Sequence, residues 1–386
     1  MSFYNNLKLL VRRRKWVFHS IRHLPRMTQA AVCMFLHRKY SCRHPLFLKI
    51  DLSPLCNIRC TVCIHADKPG DGGLLDKQRF HASQRMPLEH YKKLIDEVRG
   101  KCVSVVLHYL GDPYMYPDLD EASLYAYEAG MRVHVGSNFS YAFSDERIES
   151  IVRSGVTDLT VCVDGLTQDI YQRTRIGGNI ERVLCNLERL CRKRKELKSK
   201  RMHVEAQYIR FDHNRHQEDD VKKKVLELGV DQFTALTGNT SNYVNVYDPN
   251  SEYYRVGAPR PPKRYGVPRC HWPYTGMTIR YDGEVIPCCL YRQGSQYAEG
   301  IEPISYGNVF SEIQNGKGGI GKIWNGEAYQ KLRKQMLDGS TVSNNEFCYG
   351  CRYLFEIDVE KHYALDPVAG GLTVLKKSQT PLPRAG

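Results

Sequence analysis

The chain has 386 residues, 42% of them hydrophobic and 25% charged, an ordinary globular composition long enough for one large domain or two moderate ones. Its 14 cysteines form no evenly spaced ladder, and the start lacks a long apolar core and a small-residue cleavage site. Together these lead to the expectation of free thiols in a reducing cytoplasm rather than a disulfide framework.

The net charge of +14 is uneven: residues 1–45 hold ten Lys and Arg and no acid, the first being Asp51. Apolar residues such as Leu9, Leu10, Trp16, Ile21 and Leu24 interleave with these charges, and the longest apolar stretch, near 30–36, is too short to span a bilayer. Such a segment suits peripheral contact with an anionic membrane surface, a nucleic acid or acidic substrate, or a solvated arm packed outside the fold.

From residue 46 to about 237 strand and helix patterns alternate. Strands are expected over Leu46–Leu52, Val103–Leu110, Arg132–Asn138, Asp158–Asp164, Met202–Arg210 and Gln232–Leu236. Helices are expected over Pro87–Val98, Asp120–Ala129, Asp145–Ser154, Ile180–Leu197 and Asp219–Leu228, with Gly130, Gly155 and Gly229 at C-cap positions. Six β/α units in one order predict an α/β fold, a parallel sheet curled into a partial (β/α)6 TIM-like barrel with its chemistry at the strands' carboxyl ends. Residues 238–268, rich in Asn, Tyr, Pro and Arg, read as a connector. Residues 269–362 carry a second cysteine set around a hairpin signal, Asp282-Gly283. Residues 363–386 have no periodic pattern and are expected to be a disordered tail.

The loop after the first strand reads Cys56-Asn57-Ile58-Arg59-Cys60-Thr61-Val62-Cys63. Three thiolates so close suit one metal cluster, and three rather than four leave one iron of a cubane open to a reactant. Zinc sites usually take four ligands in two separated pairs, which makes zinc the blander reading. This C-x3-C-x2-C run resembles the radical S-adenosylmethionine (radical SAM) superfamily. The resemblance implies a 4Fe–4S cluster on Cys56, Cys60 and Cys63 whose open iron chelates S-adenosylmethionine. One electron then cleaves the sulfonium to a 5′-deoxyadenosyl radical. An external flavodoxin- or ferredoxin-type donor is implied as well.

Further segments fall in that family's order. Leu110-Gly111-Asp112-Pro113 resembles its Gly-Gly-Glu motif, with Leu110 for a Gly and Asp112 for the Glu; Gly111 and Asp112 are implied to meet the amino group of S-adenosylmethionine. Gly136-Ser137-Asn138-Phe139 stands where the family often has Thr-Asn-Gly, so Ser137 and Asn138 are implied to face the ribose and carboxylate. Val163-Asp164-Gly165 and Tyr171–Gly178 resemble the SPASM/twitch branch, and Arg175 is the natural bidentate partner of the cofactor carboxylate. Strand side chains alternate, so if Asp164 points into the barrel mouth then Cys162 does too. Cys162 and Asp164 are the candidate catalytic residues: Cys162 is either a buried structural thiol or a hydrogen-atom donor.

Cys270, Cys288, Cys348 and Cys351 resemble the twitch domain's ligands for one auxiliary 4Fe–4S cluster, with Cys289 able to replace Cys288 and a tetrathiolate zinc site as the alternative. The segments Tyr306-Gly307-Asn308-Val309 and Ile323 to Gln335 look like a strand and a helix bracing that cluster. His65 and His108 have no paired-ligand spacing.

The C-terminal pattern most resembles enzymes that oxidise a hydroxyl-bearing carbon, such as 2-deoxy-scyllo-inosamine dehydrogenase. The expected activity is therefore dehydrogenation of a polyol, aminocyclitol or sugar-type small molecule, lipid-linked if the basic arm meets a membrane. Epimerisation, thioether or cross-link formation on a peptide substrate, and a non-catalytic iron–sulfur scaffold are the alternatives. No nucleic acid partner is expected.

Overall fold

The computed structural model describes residues 21–60, 63, 82–211, 213–237, 268, 270–288, 305–314, 319–338, 341–342, 348, 363–366 and 371–374. All of 238–267, with residues 1–20, His65, Cys289 and Cys351, lie outside these. A helix, α1 (Leu24–Phe35), precedes the first strand, β1 (Phe47–Ile50). The short strand β2 (Arg59–Cys60) lies in the cysteine loop, followed by α2 (Leu88–Val98), β3 (Ser104–Val106), α3 (Leu119–Glu128), β4 (Arg132–Ser137), α4 (Asp145–Arg153) and β5 (Asp158–Cys162). Next come α5 (Gln168–Tyr171), β6 (Arg175–Ile176), α6 (Ile180–Glu196), β7 (His203–Arg210), α7 (Glu218–Glu227) and β8 (Gln232–Thr237). The elements match the expected segments to within a few residues.

β1, β3, β4, β5, β7 and β8 form one parallel sheet in that order. Apolar residues at every second position, among them Val105, Val133, Leu159 and Val204, are fully buried in one core with Leu94 and Ile95 of α2, Ile151 of α4, Leu187 and Leu190 of α6 and Val225 of α7. This is the mixed α/β, mostly parallel architecture expected. The helix starts are capped locally: Ser144 Oγ accepts from Arg147 N at 3.1 Å and Asn179 Oδ1 from Arg182 N at 2.8 Å.

The three glycines differ. Gly130 and Gly229 adopt φ of 82° and 94°, the left-handed C-cap conformation. Gly155 does not; a Cβ there would lie 2.1 Å from the Ser123 carbonyl oxygen, so the glycine permits close helix contact rather than a left-handed turn. The C-cap expectation is corrected at that position.

Past the connector, α8 (Trp272–Thr275) leads into β9 (Gly276–Ile279) and β10 (Val285–Ile286), which pair antiparallel around Asp282-Gly283, with Gly283 at φ 86°. β9 also pairs in parallel with β1, from Phe47 opposite Gly276 to Ile50 opposite Ile279. The hairpin thus extends the barrel's own sheet. Tyr306 N donates to Val285 O at 2.8 Å and Val285 N to Gly307 O at 2.9 Å, so the Tyr306–Val309 segment braces the hairpin. α9 (Val309–Gln314), α10 (Gly319–Trp324) and α11 (Glu327–Gln335) follow. Arg333 of α11, fully buried, stacks 4.6 Å from the Trp324 ring centre and donates to Pro273 O at 2.8 Å and Lys39 O at 3.0 Å. β11 (Tyr363–Asp366) and β12 (Gly371–Val374) pair antiparallel, which corrects the expectation of a tail without regular structure for those two segments.

Candidate functional site

The cysteine loop leaves the carboxyl end of β1 and is tied to three other strand ends. Asp112 N donates to Leu55 O at 2.8 Å, linking the loop to the segment after β3. Gly111 makes this approach feasible: a Cβ there would lie 2.3 Å from Leu55 O and 2.4 Å from Ser53 O. The turn after β4 wraps the loop from the other side, where Asn138 Nδ2 donates to Asn57 Oδ1 at 2.8 Å and Asn57 Nδ2 to Ser140 O at 2.9 Å. β2 pairs antiparallel with β6, setting Cys60 opposite Arg175.

The Asp112 carboxylate is buried and already subscribed. It accepts from Ser137 Oγ at 2.9 Å, Asn138 N at 2.8 Å, Asn138 Nδ2 at 2.7 Å and Tyr114 N at 3.1 Å. Burial pushes its pKa up, and the backbone bond from Asn138 opposes the shift. Asp112, Ser137 and Asn138, expected separately as cofactor contacts, are one hydrogen-bonded unit that fixes the turn after β4. Phe139, at the position where the resemblance has glycine, holds φ 58° although fully buried. Its ring lies 5.7 Å from Tyr114 and 5.2 Å from Phe143, and this packing offsets the strained backbone.

Asp164 is fully buried at the end of β5: its Oδ2 accepts from Arg175 Nε at 2.6 Å and its Oδ1 from Ile209 N at 2.7 Å. Arg175 Nη1 reaches Cys60 Sγ at 3.5 Å, while Asn138 Nδ2 stands 3.9 Å from Cys56 Sγ. Each of these two sulfurs therefore meets a donor, the environment an anionic thiolate needs. Burial pushes the Cys60 thiol up to about 12, with Arg175 opposing and Cys63 reinforcing the shift. Cys56 is raised by burial and then by Asp112, Cys60 and Cys63. The three cysteines thus stand within electrostatic reach of one another, and Cys63 N donates to Cys60 O at 3.0 Å. Among the described residues no three His, Cys, Asp or Glu side chains are close enough to hold a single metal ion. A 4Fe–4S cluster ligates each cysteine through a different iron, and three thiols on one loop, two of them beside hydrogen-bond donors, fit that ligand chemistry.

In the second set, Cys348 is buried in the main core and Cys270 packs against that core. Cys288 lies just beyond β10, within electrostatic reach of Tyr329. Cys351 and Cys289 fall outside the described residues.

The sheet face opposite the helices carries a polar network that the sequence reading missed. His134 Nε2 bonds Thr160 Oγ1 at 2.9 Å, Thr160 Oγ1 donates to Glu205 Oε2 at 3.3 Å, and Gln232 Nε2 donates to Glu205 Oε1 at 3.2 Å. His108 Nδ1 accepts from Gly136 N at 2.9 Å, and its ring lies edge-on to His134 with centres 5.1 Å apart. Cys162 shares this face by strand parity with Thr160 and pairs with Gln207, one rung nearer the cysteine loop. Extending the alternation along β5 from Cys162 would have found Thr160, whereas His134 and Glu205 lie on the neighbouring strands and are placed by the sheet register.

Asp51, where β1 runs into the loop, is buried with Oδ1 3.4 Å from Leu110 N and Oδ2 without a partner. Burial pushes its pKa up to about 7, against the Leu110 amide and Arg280. The folded state thus keeps the proton that the unfolded chain loses near pH 4. Stability from this group is present below that pH and is lost as pH rises to about 7, at a cost of roughly 4 kcal/mol. Anaerobic urea unfolding of Asp51→Asn between pH 5 and 8 should show this slope removed.

The sequence pattern that defines the radical SAM superfamily matches residues 50–204, and that of an iron–sulfur cluster-binding domain, SPASM, matches residues 270–352. The chain is a radical SAM superfamily member with a C-terminal SPASM domain, and its cofactors are accordingly 4Fe–4S clusters and S-adenosylmethionine. It is similar to AdoMet-dependent heme synthase of Methanosarcina barkeri, 26% identical over 37% of this chain and 38% of that protein. It is also similar to GTP 3′,8-cyclase of Clostridium botulinum, 18% identical over 37% of this chain and 42% of that protein. The chain therefore spans about two fifths of the curated relatives it matches. In structure it resembles SuiB of Streptococcus suis bound to precursor peptide SuiA, with TM-score 0.50, 12% identity and coverage of 76% of this chain and 67% of that one.

Proposed function

We propose that the chain removes a hydrogen atom from a hydroxyl-bearing small molecule, a polyol, aminocyclitol or sugar, and oxidises it. The observation that carries this reading is the polar ladder of His134, Thr160, Glu205 and Gln232 on the sheet face shared with Cys162. The Glu205 carboxylate keeps acceptor capacity beyond these bonds, which suits a ligand bearing hydroxyl or amino groups better than an apolar one. When bound, the cluster and S-adenosylmethionine supply a 5′-deoxyadenosyl radical. On this reading Cys56, Cys60 and Cys63 hold the first cluster and Cys270, Cys288, Cys348 and Cys351 the auxiliary one. Gly111, Ser137, Asn138 and Arg175 border the cofactor. Asp112 and Asp164 act through them as positioning residues, and Glu205 binds a substrate hydroxyl. The electron comes from a flavodoxin- or ferredoxin-type donor in the cytoplasm.

A second reading, epimerisation, is favoured by one feature: the Cys162 thiol shares the ladder's face and could return a hydrogen atom. Anaerobic incubation of the reconstituted chain with a panel of inositols, aminocyclitols and sugars, in deuterated water, separates the two. Oxidation predicts stimulated 5′-deoxyadenosine and a product two mass units lighter. Epimerisation predicts an isomer with one solvent deuteron, lost in Cys162→Ala. Stimulation by peptides alone would overturn the small-molecule reading.

A further inference from the structure

The end of the barrel remote from the cysteine loop carries an unusual surface. α1 packs there: Ala30 and Met27 join a small core with Cys42, Leu46, Phe47 and Val103, residues at or before the amino-terminal ends of β1 and β3. Arg22 donates to Gly130 O, and Arg26 to Lys101 O and to His44 O at 3.1 Å, so the helix is pinned by backbone carbonyls next to β1, β3 and β4. Its outward face is uncharged and carries four large apolar side chains beside exposed Thr28 and Gln29. Leu24, Val32, Phe35 and the following Leu36 are 57%, 46%, 56% and 57% exposed, and Ile21 just ahead is 52% exposed. At 100° per residue, positions 24, 28, 32, 35 and 36 fall on one stripe about 120° wide with no charge in it.

Positive charge borders the stripe. Exposed Arg38, Lys39 and Arg43 follow the helix, within a stretch that has no acid before Asp51. The same barrel end continues through Tyr127, over whose ring the Arg201 guanidinium lies at 4.4 Å, to exposed Lys195 in the last turn of α6 and exposed Lys198 and Lys200 between α6 and β7. Of the acids around this turn, Asp158 and Asp231 are paired with Arg132 and Arg194, and Glu196, beside Lys195, is paired with Lys193. Among the described residues no helix is long and apolar enough to cross a membrane. A rigidly held apolar stripe rimmed by lysine and arginine matches the interfacial layer of a bilayer with anionic headgroups.

We propose that the amino-terminal end of the barrel, led by the α1 stripe, docks on an anionic lipid surface. Docked this way, the strands' carboxyl ends and the cysteine loop face away from the bilayer. Substrate then arrives from the aqueous side, which disfavours the lipid-linked alternative.

The test is co-sedimentation of the full, cluster-reconstituted chain with phosphatidylcholine vesicles, with or without about 30% phosphatidylglycerol. Binding should require the anionic lipid and fall steeply at high salt. Val32→Asp with Phe35→Asp, and separately Lys195→Glu, Lys198→Glu and Lys200→Glu, should each weaken it about tenfold or more. Uncoupled 5′-deoxyadenosine formation should stay at the parent level in both, reporting an intact fold. No binding, equal binding to neutral vesicles, or binding unchanged by the stripe variants overturns the proposal. So does a chain lacking residues 1–20 that loses all binding while the stripe variants keep it.

Discussion

Cys60→Ser should reduce reductant-dependent 5′-deoxyadenosine to background and remove about four of about eight irons per chain. Cys60 is the most enclosed of the three, 7% exposed, set opposite Arg175 on β2 with the guanidinium 3.5 Å from its sulfur. Serine keeps the size and the β2–β6 pairing, so circular dichroism and the unfolding midpoint of the iron-free chain should barely move. Cys348→Ser is the control: it should also lose about four irons while leaving uncoupled cleavage in place, because its sulfur belongs to the second set. Full iron content in Cys60→Ser would remove the triplet from the cluster. Loss of all iron in either variant would mean that the two sites do not assemble independently.

The second large effect is expected at Gly111. Replacing it with alanine puts a methyl group 2.3 to 2.6 Å from three backbone atoms of Ser53, Pro54 and Leu55, none of which can swing aside as a side-chain tip would. The strand end and the cysteine loop must separate, at a cost of about 1–3 kcal/mol in the fold. The cost in activity should be larger. A shift of about 1 Å at the loop moves Cys56 relative to the Asp112–Asn138 unit, and misplacement on that scale lowers turnover about a hundredfold. Single-turnover 5′-deoxyadenosine formation at full iron loading is the measurement. A Gly111→Ala chain with parent-level turnover would show that the loop tolerates the separation, and that the glycine serves packing alone.

The parallel barrel was legible because its signals are local. Apolar residues at every second position marked β4, β5 and β7, and Gly130 and Gly229 sat where C-caps belong. The cysteine triplet was legible for the same reason: its three thiols are neighbours in sequence. Gly155 misled because a glycine after a helix has two uses, a left-handed turn or room for a neighbour, and only the approach of Ser123 selects the second. Asp112 and Asp164 were each seen as single residues at strand ends. Ser137, Asn138 and Ile209, which bond them, come from other β/α units, and Arg175 lies 11 residues beyond Asp164 in the connection after β5, so these hydrogen bonds had no local trace.

By itself the sequence determined the parallel barrel, the place of the thiols after its first strand and the hairpin at Asp282-Gly283, because periodicity, capping and ligand spacing act over a few residues. Only the tertiary structure decided that this hairpin joins the barrel's own sheet, with β9 beside β1. It also decided that Arg175 reaches Cys60 and that His134, Thr160, Glu205 and Gln232 meet on one face. The physical reason is that each of these contacts joins residues far apart in sequence, and their meeting is set by how the sheet curls rather than by any local preference.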